Sequence, residues 1–171
     1  MSGIPQSEYR ARRGRVHRGL KDAAGLVFAG DARDGDASWR PHPHFEYLTG
    51  VADEPGSILL LDGTHPVESR RDVLFLRPLD PEKEQWDGLR DHISASLRER
   101  TGFQTMYRTG MLGRVLAIVS ERVRQLATLH PTAEFDQPLP PDLEIWRKVA
   151  KRAPGVEVIN RSSLIGSLRA V

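Results

Sequence analysis

Cysteine is absent from the chain's 171 residues. That removes disulfides, thiolate zinc sites and cysteine nucleophiles together, and it agrees with a reducing compartment. No run approaches the roughly 18 apolar residues of a membrane span, and the N-terminus lacks the apolar core of a signal peptide. The expected location is therefore the cytoplasm, with no membrane partner. A strong excess of one charge is missing too: 25 basic against 23 acidic residues leave a net charge of +2. This is far from the basic stripe that nucleic-acid binding uses, so no nucleic-acid partner is expected. There is no Gly-x-Ser-x-Gly elbow, no phosphate-binding glycine loop and no His-Glu-x-x-His pair. By residue chemistry alone the chain has no self-sufficient active site, and no catalytic residue, metal ligand or resident cofactor is assigned to it.

What is present describes one globular domain. With 39% hydrophobic and 28% charged residues, the composition suggests neither disorder nor a repeat, and the length is enough to bury a core. The most informative stretch is residues 39 to 62. Trp39-Arg40-Pro41-His42-Pro43-His44 is a prolyl entry that disfavours helix. Phe45 to Gly50 reads as a short aromatic strand, Glu54-Pro55-Gly56 as a turn, and Ser57 to Asp62 as an apolar buried strand.

Around that stretch, strands and helices alternate. Residues 7 to 21 predict a helix with Ser7 as N-cap and Tyr9, Val16 and Leu20 on one face. Arg10, Arg12, Arg13, Arg15 and Arg18 lie between them, a basic face that suits either solvent or an acidic partner. Ala23 to Ala29 makes a first strand. Ile58 to Leu61 and Val73 to Leu76 are apolar without polar alternation, as expected of strands covered on both faces. A short helical segment follows from Pro81 to Gly88, then a helix from Arg90 to Arg100, a strand from Phe103 to Tyr107, and the most periodic helix, Met111 to Leu126. Leu126 to Leu129 starts a further strand. Asp142 is placed as N-cap of a helix carrying Leu143, Trp146, Val149 and Ala150, Val156 to Ile159 as a strand, and Ser162 or Ser163 as cap of a last helix. That helix has no stop signal, so the chain reads as continuing past Val171. The predicted fold is α/β, a mixed sheet flanked by helices on both faces in a single domain.

His42-Pro43-His44 is the one close histidine pair, and on an extended chain both rings point to one side as two metal ligands would. Two ligands do not make a site; a third would have to come from His17, His65, His92 or His130, or from a carboxylate, and nothing specifies which, so the pair is read as loop histidine beside a prolyl turn.

Two stretches carry a resemblance. Trp39, Arg40, Phe45, Tyr47, Leu48, Thr49, Gly50, Glu54, Pro55 and Gly56, with Glu84, Trp86, Gly88 and Arg90 downstream, resemble the N-terminal domain of the Xaa-Pro aminopeptidases, the family that includes prolidases and creatinases. His44 departs from it, standing where the family commonly has Asp. The resemblance implies that residues 1 to 171 form this N-terminal domain, that a C-terminal pita-bread metallopeptidase domain with two manganese ions is not in this chain, and that the chain alone is inactive. Its implied partners are that catalytic domain, further copies in a homo-oligomer, and a peptide substrate with proline at the second position. It names Trp86, Arg90, Glu84, Arg40 and Tyr47 as candidates for the substrate rim or an interface, since in several relatives the tryptophan of the Glu-x-Trp segment reaches a neighbouring subunit's active site. A rigid indole with a flat apolar face suits a proline ring. A stand-alone peptide- or protein-binding module and the N-terminal domain of a prolidase or creatinase are the alternatives.

Overall fold

The computed structural model describes residues 3–33, 36–79 and 93–171. In chain order the elements are α1 (Gln6–Leu20), β1 (Ala24–Phe28), α2 (Pro43–Thr49), β2 (Ile58–Asp62), β3 (Asp72–Leu76), α3 (Ala95–Thr101), β4 (Thr105–Arg108), α4 (Leu112–Arg122), β5 (Gln125–Thr128), α5 (Pro141–Ala150), β6 (Glu157–Asn160) and α6 (Leu164–Arg169). The strands form one sheet in the order β4-β3-β2-β1-β5-β6. β2 runs antiparallel to both β1 and β3, while β1–β5, β3–β4 and β5–β6 are parallel.

The three central strands are apolar on both faces because each face meets its own core. Leu59, Leu61, Leu74 and Leu76 join Val16, Leu20, Phe45, Leu48, Leu97, Phe103 and Ile165 beneath α1, α2, α3 and α6. Ile58, Leu60, Val73 and Phe75 join Leu116, Val119, Val123 and Trp146 beneath α4 and α5. Alternation along each strand divides the two sets, and register keeps partners together: Leu59 lies opposite Leu74 and Leu60 opposite Val73. The fold is α/β, with a mixed sheet covered on both faces.

Four local expectations are corrected. Phe45 to Gly50 belongs to helix α2, not a strand: Pro43 sits at the first helical position, where its missing N–H is harmless, and Gly50 closes the helix at φ 69°. Ser7 lies inside α1, whose N-cap is Pro5 with no side-chain cap bond. α4 ends at Arg122; Val123 turns extended and Leu126 belongs to β5. Asp142 is inside α5, which is capped by Pro140. Ser163 is the N-cap residue of α6 as expected, without a side-chain cap bond.

The arginines of α1 are largely engaged within the domain. Arg13 is 4% exposed; its Nε donates to Asp72 Oδ2 at 2.8 Å, its Nη1 to the Leu48 carbonyl at 2.8 Å, and its guanidinium lies 4.4 Å from the Phe103 ring centre. His17 meets the other Asp72 oxygen at 2.5 Å. Burial alone would raise the Asp72 carboxyl, but His17 and Arg13 outweigh it and hold it below its ordinary range. Arg12 and Arg15 share Glu8. Arg12 and Arg13 thus tie α1 to α2 and β3, while Arg10 and Arg18 are exposed to solvent.

Candidate functional site

The C-terminal ends of the adjacent parallel strands β1 and β5 form one edge of the sheet, the edge on which open α/β sheets place their ligand sites. β1 passes into Ala29, whose carbonyl accepts from the His42 N–H at 2.9 Å, and β5 passes into Leu129 and His130. The sheet therefore delivers His130 to the same place as His42 and His44. His42 caps α2, its Nδ1 accepting from the His44 N–H at 3.1 Å. The His42 ring stands edge-on to His44 at 4.9 Å and to His130 at 4.8 Å.

The tautomers follow from fixed donors. His130 Nε2 accepts from the Phe28 N–H at 2.8 Å, so its proton is on Nδ1. His44 Nδ1 lies 3.2 Å from Arg169 Nη1; a guanidinium only donates, so this nitrogen accepts and the proton is on Nε2. His42 Nδ1 is occupied by the capping bond. All three rings are neutral, each with its lone pair committed to a donor of the domain. Burial first, then the neighbouring imidazoles and Arg169, push His44 down to about 4. Burial and His42 push His130 down to about 4. His42 is lowered as well, by burial and Arg169, with Asp142 opposing.

Asp142 supports this edge from α5. It is fully buried; its Oδ2 accepts from the N–H of Leu129 at 2.7 Å and of His130 at 3.1 Å, and its Oδ1 from that of Leu143 at 2.9 Å. Burial raises its carboxyl while those donors pull the other way. Trp146, one turn on, donates Nε1–H to the Ala127 carbonyl at 2.9 Å. The helix is thereby locked onto β5.

The histidines do not fit a metal. A ligating imidazole needs a free lone pair, and here each is spent. Among the described residues no group of three or more His, Cys, Asp or Glu side chains could hold an ion. The manganese ions implied by the resemblance have no ligand set on this edge.

Of the five candidate residues, Arg40 and Tyr47 are placed. Tyr47 packs against α6 and α1: its hydroxyl donates to the Leu168 carbonyl at 3.5 Å, the Arg12 guanidinium stacks over its ring at 4.3 Å, and Arg12 Nη1 donates to its carbonyl at 3.0 Å. Tyr47 and His44, both on α2, thus grip α6 at Leu168 and Arg169. Gly19 of α1 lets that helix seat closely, since a Cβ there would lie 2.5 Å from Leu164. Arg40 stays apart, exposed, its Nη1 donating to the Trp39 carbonyl at 3.2 Å. Glu84, Trp86 and Arg90 lie outside the described residues, as does the helical segment expected from Pro81 to Gly88. The sequence offered His130 only as one possible third ligand and Asp142 only as a helix cap; the parts that they and Arg169 play at this edge were not foreseen.

The relationships of the chain match this architecture. Residues 9–127 match the family model described as aminopeptidase P, N-terminal domain. A Xaa-Pro aminopeptidase of Haemophilus influenzae is 36% identical over 95 residues, covering 53% of this chain and 21% of that protein. A Bacillus anthracis structure described as an aminopeptidase P superposes with a TM-score of 0.77 at 24% identity, covering 97% of this chain and 40% of that one. The Pseudomonas aeruginosa aminopeptidase PepP gives a TM-score of 0.71 at 26% identity, with 96% and 38% covered. The chain thus spans about a fifth of the curated relative and about two fifths of the solved ones. It belongs to the aminopeptidase P N-terminal domain family.

Proposed function

We propose that residues 1 to 171 are the non-catalytic N-terminal domain of a two-manganese Xaa-Pro aminopeptidase, a cytoplasmic enzyme that removes the residue preceding proline. The domain shapes one side of the substrate cleft and contributes to a homo-oligomer interface, while a following pita-bread domain holds the ions. The observation that carries this reading is the family match over residues 9–127, taken with a Xaa-Pro aminopeptidase relative of which the chain spans 21%. The grip of Tyr47 and His44 on α6 supports it: the last helix is fixed to the domain, so anything attached beyond it would be held in a set orientation.

Within this reading Trp86 offers the flat apolar surface to the proline ring, with Glu84 and Arg90 orienting it and Arg40 exposed as a further rim or interface contact. The test uses the chain extended through the proposed catalytic domain. Trp86→Ala should lower kcat/KM on a Xaa-Pro peptide by about tenfold or more, the loss of an aromatic contact, with manganese content unchanged. Unchanged kinetics would remove Trp86 from the substrate rim.

A further inference from the structure

The connections leaving β1 and β5 go to opposite faces of the sheet: α2 follows β1 onto the face of Phe45 and Leu48, and α5 follows β5 onto that of Trp146. Neighbouring parallel strands whose connections diverge leave a crevice at their C-terminal ends, the place where open α/β sheets bind ligands. A hollow of about 460 Å³ opens at this edge, bordered by Thr128 and His130 where β5 ends and by Asn160 where β6 ends. Its size suits a small molecule.

The lining is mixed in a specific way. Leu139, Leu143, Val158 and Ile159 make it apolar on one side, and the fully exposed Phe135 ring borders it. His130 is 6% exposed, yet its ring keeps an unused donor: Nε2 is spent on the Phe28 N–H, so the proton is on Nδ1, and no described residue accepts it. A buried donor without an acceptor is costly, and a ligand in the hollow can supply one. Asn160 Oδ1 is taken by the N–H and the hydroxyl of Ser162, so what its amide has left to offer is N–H groups. Glu134, on the connection between β5 and α5, and Arg147, on α5, line the same hollow; both are exposed, and neither forms an ion pair with any described residue. Opposite charges around one hollow that do not reach each other leave a gap for a molecule charged at both ends.

We propose that this hollow binds a zwitterion with an apolar side chain, an unblocked apolar amino acid or dipeptide. Arg147, the His130 Nδ1–H and the Asn160 amide are the donors for its carboxylate, Glu134 is the acceptor for its ammonium, and Leu143, Val158 and Ile159 take its side chain. Such binding needs no peptidase activity, so it can fail while the assignment of the domain stands, and the reverse.

The isotope-labelled 171-residue chain is titrated with the dipeptide Leu-Leu and followed by NMR. Saturable shifts confined to residues bordering the hollow, the His130 ring nitrogens among them, are expected with a Kd of about 1 mM, the strength of a small ligand on an open site. Acetylating the amine or amidating the carboxylate of Leu-Leu should each weaken binding about fivefold, the loss of one solvent-accessible ion pair. Gly-Gly, which lacks the apolar side chain, should not saturate. Arg147→Gln should make Leu-Leu and its amide bind alike while acetylation still weakens binding. Glu134→Gln should do the reverse, erasing the effect of acetylation and keeping that of amidation. Both positions are exposed, and the spectrum of each variant reports that the fold is kept. Lys148→Gln, on α5 but outside the hollow, should leave every affinity unchanged. Absence of saturation, shifts centred elsewhere, or variants at Arg147 and Glu134 that weaken all the ligands equally would each overturn the proposal.

Discussion

Acidification should unfold this domain through its histidines. In the native state His44 and His130 are both 6% exposed and titrate at about 4, against an ordinary value of 6.5. The direction follows from proton counts: between those values the unfolded chain binds protons that the folded one refuses, so stability rises with pH across the window. It is fully present above 6.5 and lost as pH falls toward 4. At about 1.36 kcal/mol per pH unit, each ring accounts for about 3 kcal/mol, and the pair for less than twice that, because each value includes repulsion from the neighbouring imidazoles. Against a typical domain stability of about 5–15 kcal/mol this is a large share. Protonation of His44 also removes the acceptor for Arg169, so α6 should loosen early. Urea titrations at intervals from pH 7 to 4 read the slope directly. His44→Gln combined with His130→Gln, which retains acceptors without a titrating ring, should flatten most of it. A stability that is level from pH 7 to 4.5, or a slope unchanged in the double variant, would refute the assignment of neutral, donor-bound imidazoles.

Three further outcomes test other parts of the account. Asp142→Ala leaves the buried N–H groups of Leu129 and His130 without their acceptor and should cost about 3 kcal/mol in urea unfolding, with faster amide exchange at both residues. Arg13→Met strips Asp72 of its guanidinium partner within a buried network and should cost about 3 kcal/mol in the same assay. Gly50→Ala combines a left-handed backbone at φ 69° with a Cβ 2.5 Å from the Tyr9 ring, and should cost about 2 kcal/mol or more, visible as a lowered melting temperature.

Much of the fold was legible because the central strands announce themselves. Ile58 to Leu61 and Val73 to Leu76 lack polar alternation, and only a sheet covered on both faces uses such runs. The misreadings have physical causes. Pro41 and Pro43 suggested an extended chain, but a proline at the first turn of a helix costs nothing there, and Gly50 was the matching stop signal. Val123 and Leu126 continue the apolar spacing of α4 although the backbone has already turned extended, since three- and four-residue steps do not record where a helix ends. Asp142 looked like a cap by residue type, yet its carboxylate reaches across to the exit of β5, a tertiary contact with no local trace.

The candidate site was less legible. His42 and His44 were visible as a pair. His130 reaches them only because β1 and β5 are neighbours in the sheet, which no spacing along the chain reveals. The metal reading of the pair depended on an extended geometry. Once α2 forms, His42 becomes a helix cap and its lone pair is taken.

The most direct test of the central claim is a peptidase assay with a Xaa-Pro peptide and added manganese, run on residues 1 to 171 and on the same chain carried through its proposed catalytic domain. The account predicts no hydrolysis by the first and manganese-dependent release of the N-terminal residue by the second. Cleavage by residues 1 to 171 alone, or an extended chain that binds manganese and leaves Xaa-Pro peptides intact, would contradict it.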